Sequence, residues 1–124
     1  MIMVIDDQQS VLNLTKTVIN HSYDSPVHIF LSPNKAIDFF KEHNQDVNLV
    51  ISDLEMPDMN GCELIESLKK INPNVKMGLS SGCINKEGEL MYEHQCPKAD
   101  FLVSKPFELY VMQGILRTYL GEPK

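Results

Sequence analysis

The stretch that most restricts this chain is Asn48–Gly61, NLVISDLEMPDMNG, in which an apolar run stops abruptly at an acid. Leu49-Val50-Ile51 is short, β-branched and bounded by turn residues, the pattern of a strand buried on both faces in a parallel sheet. Pro57 and Gly61 then mark a polar loop. An acid at the carboxyl end of such a strand lies on the rim where open α/β sheets place their ligands. Asp53 is therefore either a residue that starts a loop or a reactive carboxylate.

The same pattern returns along the chain. Met1–Ile5 is an apolar opening that runs into Asp6-Asp7. Val11, Leu12, Leu14, Val18 and Ile19 follow the spacing of an amphipathic helix. Val27–Leu31 predicts a second strand, and Ser32-Pro33 a helix start, with the serine as N-cap and proline in the first turn. Ala36, Ile37, Phe39 and Phe40 supply the buried face of that helix. After the Asp53 strand, Leu64, Ile65, Leu68 and Ile71 predict a helix from Gly61 to Ile71, with Lys69-Lys70 favourably placed in its last turn.

Val75–Leu79 predicts a fourth strand stopping at Ser80-Ser81-Gly82, and Lys86–His94 an exposed, weakly apolar helix. Phe101–Val103 predicts a fifth strand closed by Ser104-Lys105-Pro106. A final helix carries Leu109, Val111, Met112, Ile115, Leu116, Tyr119 and Leu120. The order is (βα)5, without repeats or linkers. Right-handed crossovers turn it into an α/β fold, a doubly wound parallel five-stranded sheet covered by helices on both faces. At 124 residues it reads as one domain, 1–124, large enough to bury a core without staples.

A net charge of −6 argues against nucleic acid or an anionic membrane as a direct partner. No run approaches a membrane span and no signal sequence opens the chain, so a cytoplasmic location is expected. Cys62, Cys83 and Cys96 form no CxxC pair and leave one over in any pairing, so all three read as reduced thiols. The four histidines lack ligand spacing.

Parallel strands place Asp6, Asp7, Asp53, Ser80 and Lys105 at one edge of the sheet. Any one of these alone reads as turn or surface chemistry. Together they are harder to explain that way, because three clustered carboxylates are costly without a compensating cation. A hard divalent ion held by oxygens answers that cost, with Mg²⁺ suited to phosphate chemistry. Lys105 and Ser80 suit the oxygens of a phosphoryl group in transfer, and a carboxylate can accept such a group as an acyl phosphate.

On IDD at the first strand end, VISDLEMPDMNG around Asp53, LSS after the fourth strand and SKPF after the fifth, the chain resembles a receiver domain of two-component response regulators. The resemblance covers essentially the whole chain. It implies a flavodoxin-like fold with strand order 2-1-3-4-5. It also implies that Asp53 is the phosphoacceptor, with Asp7 and Asp53 as direct Mg²⁺ ligands and Asp6 acting through a metal-bound water. The backbone carbonyl of Glu55 would be a further ligand. Lys105 would contact the phosphoryl group, ahead of a cis Lys105–Pro106 bond, and Ser80 would be the switch hydroxyl. The implied partners are a histidine kinase or phosphotransfer protein and a downstream output protein or domain. The implied role is signalling, with catalysis limited to the chain's own phosphorylation and dephosphorylation.

Two positions depart from the family pattern. Leu102 stands where a rotating Tyr or Phe is usual, with Phe101 predicted to face the other way, and Ser81 replaces a small Ala or Gly. The departure at Leu102 sustains an alternative, a pseudo-receiver that binds partners without being phosphorylated. Gly78-Leu79-Ser80-Ser81-Gly82 matches the G-x-S-x-G elbow of hydrolases, but the last histidine, His94, precedes Asp100, the wrong order for that triad. A flavin module is disfavoured because Asp6-Asp7 would repel a phosphate after the first strand.

Overall fold

A computed structural model describes residues 1–82, 84, 96–105 and 108–124. Five strands are formed by β1 (Ile2–Ile5), β2 (Val27–Phe30), β3 (Leu49–Asp53), β4 (Lys76–Ser81) and β5 (Phe101–Ser104). They build one sheet in the order β2-β1-β3-β4-β5, every neighbouring pair parallel. The central strands β1 and β3 are buried at every position, as their unbroken apolar runs require. The edge strands β2 and β5 are only partly buried.

Alternation along the strands divides the interior into two cores. Met3, Ile5, Val50, Met77 and Leu79 face α2 (Pro33–His43) and α3 (Gly61–Ile71), which contribute Ala36, Phe40, Leu64, Ile65 and Leu68. Ile2, Val4, Leu49 and Ile51 face α1 (Gln9–Ser22) and α4 (Leu109–Leu120), which contribute Leu12, Ile19, Met112 and Leu116. The interiors of β1 and β3 are thus sealed by apolar side chains from helices, leaving their polar chemistry to the strand ends.

The start of α2 is as read, with Ser32 as cap and Pro33 in its first turn. For α3 the structure adds a cap, Asn60 Oδ1 accepting the Glu63 backbone N–H at 2.8 Å. The strand β4 runs two residues further than its apolar stretch predicts. Asp53 pairs with Ser80 and Ser81 with Ser104, so both serines belong to the sheet rather than to a loop. Gly78 is required by packing: a Cβ there would collide with the ring of Phe101. That ring stacks on Tyr119 at 4.8 Å, while Leu102 packs on the opposite core, so the predicted opposition of Phe101 and Leu102 holds.

One expectation is overturned. Cys62 and Cys96 form a disulfide with Cα atoms 5.6 Å apart, a separation typical of such bridges, so these two are not reduced thiols. Cys96 and Ala99, just ahead of β5, pack on the same core cluster as Cys62. Residues 34 apart in sequence thereby meet, with no spacing motif to announce it. Cys83, the helix expected over Lys86–His94 and the Lys105–Pro106 bond lie outside the described residues. Among the described residues no helix is long and apolar enough to cross a membrane.

Candidate functional site

The carboxyl ends of β1, β3, β4 and β5 deliver their polar residues to one place. Ile5 pairs with Ser52, so Asp6 and Asp53 leave the sheet side by side. Asp53 pairs with Ser80, and the Leu54 N–H donates to the Ser80 carbonyl at 2.9 Å. The Lys105 N–H donates to the Ser81 carbonyl at 2.9 Å, which fixes where the lysine stem begins. Strand register alone therefore gathers Asp6, Asp53, Ser80 and Lys105.

Gly61 completes the loop after β3. Its N–H donates to the Leu54 carbonyl at 2.9 Å, and an added Cβ would run into the Asp53 carbonyl and the Leu79 side chain. Only a residue without a side chain lets α3 begin this close to the acid.

Asp6 and Asp53 are almost fully buried, whereas Asp7 is exposed. Asp6 Oδ1 accepts the Gln8 N–H at 2.9 Å, and its Oδ2 accepts from Lys105 Nζ at 2.9 Å. The same ammonium lies 3.0 Å from Asp53 Oδ1. Beyond that ion pair, Asp53 Oδ1 is buried without a hydrogen-bond partner among the described residues. Carboxylate oxygens of Asp6, Asp7 and Asp53 lie within 4.8 Å of one another. Among the described residues, three acids clustered about one ammonium leave an uncompensated negative site. This donor set fits a hard divalent cation such as Mg²⁺.

The electrostatics agree. Burial pushes the Asp53 carboxyl up to about 6, against the pull of Lys105 and with the help of the Asp6 and Glu55 charges. Burial alone would pull the Lys105 ammonium down, but its bond to Asp6, its close contact with Asp53 and the charges of both leave it above its ordinary value.

A family model for the response regulator receiver domain matches residues 2–117. The chain belongs to the response regulator receiver family. Among relatives of this receiver, the chemotaxis protein CheY of Thermotoga maritima is 26% identical over 107 residues, covering 86% of each chain. A putative two-component response regulator of Arabidopsis thaliana is 30% identical over 88 residues, 71% of this chain but only 14% of the relative's length. A solved receiver domain protein (CheY-like) from Methanospirillum hungatei JF-1 superposes with a TM-score of 0.77 at 25% identity, covering 96% of this chain and 91% of that one.

The receiver brings together every residue singled out from its sequence: Asp6, Asp7, Asp53, Ser80 and Lys105 share one sheet edge, with Glu55 two residues beyond β3. Sequence reasoning gave Glu55 only its backbone carbonyl. Its side chain has a partner of its own, since Glu55 Oε1 accepts from Ser81 Oγ at 2.9 Å. The signal that could have found this bond was the serine standing where the family keeps a methyl group or less.

Proposed function

We propose that this receiver accepts a phosphoryl group on Asp53 from a phosphohistidine and thereby switches a partner-binding surface. The supporting observation is Asp53 Oδ1, a buried carboxylate oxygen that beyond its ion pair has no hydrogen-bond partner among the described residues, set among Asp6, Asp7 and Lys105. An Asp53 oxygen attacks phosphorus, the P–N bond of the phosphohistidine breaks, and its electron pair remains on the imidazole as an acyl phosphate forms.

Lys105 has two duties. In the resting site it neutralises Asp6 and Asp53, and during transfer it faces the phosphoryl oxygens that take up charge. Ser80, held opposite Asp53 by strand register, offers its hydroxyl to the same group once it is attached. Mg²⁺ would be held directly by Asp7, Asp53 and the Glu55 carbonyl and through water by Asp6, whose oxygens already serve Gln8 and Lys105. When bound it would offset the negative charge of acid cluster and phosphoryl group together.

The role is signalling, catalysis being confined to the chain's own acyl phosphate, in the cytoplasm where phosphohistidine donors form. The partners are a histidine kinase or phosphotransfer protein on one side and an output protein or domain on the other. The unphosphorylated pseudo-receiver is not favoured, because no member of the acceptor set is missing. The test is intact-mass measurement after incubation with a small acyl phosphate donor and Mg²⁺. The wild type should gain one phosphoryl group and Asp53→Asn none; equal labelling of both would overturn the assignment.

A further inference from the structure

The end of β4 and the loop after β3 are joined by a bond that the acceptor chemistry does not need. Ser81 is fully buried in β4, directly after the switch serine, whereas Glu55 is exposed on the loop after β3. Ser81 Oγ donates to Glu55 Oε1 at 2.9 Å across 26 residues of chain. A hydroxyl bonded to a carboxylate is a charge-assisted contact, stronger than a neutral one. It pins the end of β4 to the loop that carries the acceptor.

The Glu55 carboxylate is also close to the acceptor, two residues along the loop from Asp53 and bonded to the residue after Ser80, the strand partner of Asp53. An anionic group added to Asp53 raises the negative charge that Glu55 faces, and an exposed glutamate can turn away into water at little cost. Ser81 then loses its bond to the acceptor loop. The backbone on either side is already committed to the site, through Ser80 O to Leu54 N–H and Ser81 O to Lys105 N–H. Any movement of this peptide is therefore felt at the acceptor loop and at the lysine.

We propose that the Ser81–Glu55 hydrogen bond is a latch that holds the end of β4 in its resting position, and that charge arriving on Asp53 releases it by repelling Glu55. Ser81 is a positioning residue here; it acts on the switch through Glu55 and does not touch the transferred group. The inference rests on the acceptor reading of Asp53. It adds a bistable element, which a local charge event needs if it is to become a change of surface.

The test uses the full chain with Mg²⁺ and beryllofluoride, an anion that mimics a phosphoryl group on a carboxylate. Fluorine NMR reports how much is bound, and backbone amide NMR reports the positions of residues 54–55 and 80–82. In the wild type both stretches should shift on binding. Ser81→Ala should show them displaced before any anion is added, and it should bind beryllofluoride roughly 5-fold more tightly because no bond has to be broken. Ser81→Thr, which restores the hydroxyl, should return the wild-type positions and affinity.

Glu55→Gln keeps an acceptor oxygen but removes the charge. It should bind the anion while Ser81 and Gly82 move by no more than about half the wild-type shift. If Ser81 and Gly82 move as far in Glu55→Gln as in the wild type at equal fluorine occupancy, the latch is wrong while the acceptor reading stands. If the wild type shows no bound fluorine signal, the acceptor reading fails and the latch fails with it.

Discussion

Removing the charge of Asp53 should stabilise the metal-free protein, and only above a defined pH. The folded chain holds the Asp53 carboxyl at about 6 against an ordinary value of 3.8, chiefly because it is buried. Between those values the folded state keeps a proton that the unfolded state releases, so stability falls as pH rises through the window. Below pH 4 both states are protonated and there is no cost. Above pH 6 both are ionised and the folded state bears all of it. A displacement of about two pH units corresponds to about 3 kcal/mol. Asparagine has the shape of the protonated acid, so Asp53→Asn should match the wild type near pH 4 and exceed it by up to about 3 kcal/mol at pH 7. Urea unfolding followed by circular dichroism, with a chelator present and the disulfide intact, measures the difference. Mg²⁺ should narrow it by stabilising the wild type through mass action. A variant no more stable than the wild type at pH 7, or a gap already present in full at pH 4, would refute the reasoning.

Other substitutions separate the roles of the remaining groups. Asp7→Ala should weaken Mg²⁺ binding by calorimetry, whereas Lys105→Ala should retain the metal and slow phosphorylation; loss of the metal in both would break this division. Gly61→Ala places a methyl group against the Asp53 carbonyl, so it should cost about 1–3 kcal/mol of stability in urea unfolding and displace the acceptor loop. Reduction of Cys62–Cys96 opens a loop spanning 34 residues and should lower stability by up to about 4 kcal/mol on the chain-entropy account, measurable by unfolding with and without a thiol reductant.

Much of this was legible in the chain because burial on both faces writes itself as an unbroken apolar run. Leu49-Val50-Ile51 could only be an interior strand, and an interior parallel strand that ends in Asp53 must present that acid at the sheet edge. The helix from Gly61 to Ile71 was equally plain, since its apolar stripe and its lysine-rich last turn agree. The extension of β4 through Ser80 and Ser81 was not legible, because hydroxyls read as turn formers and only pairing with Asp53 and Ser104 draws them into the sheet. The Cys62–Cys96 bridge and the Ser81–Glu55 bond were hidden for a related reason. Both join residues far apart in sequence, and neither is announced by any local spacing.

The central claim, that Asp53 carries the phosphoryl group, is tested most directly by locating the modification. An acyl phosphate is reduced by borohydride to the alcohol, so a phosphorylated aspartate becomes homoserine and keeps that mark through digestion. Wild-type protein treated with a small acyl phosphate donor and Mg²⁺, reduced and mapped by peptide mass spectrometry, should show homoserine at position 53 and at no other acid. Homoserine at position 6 or 7, or none anywhere under conditions that leave the protein folded, would contradict the account.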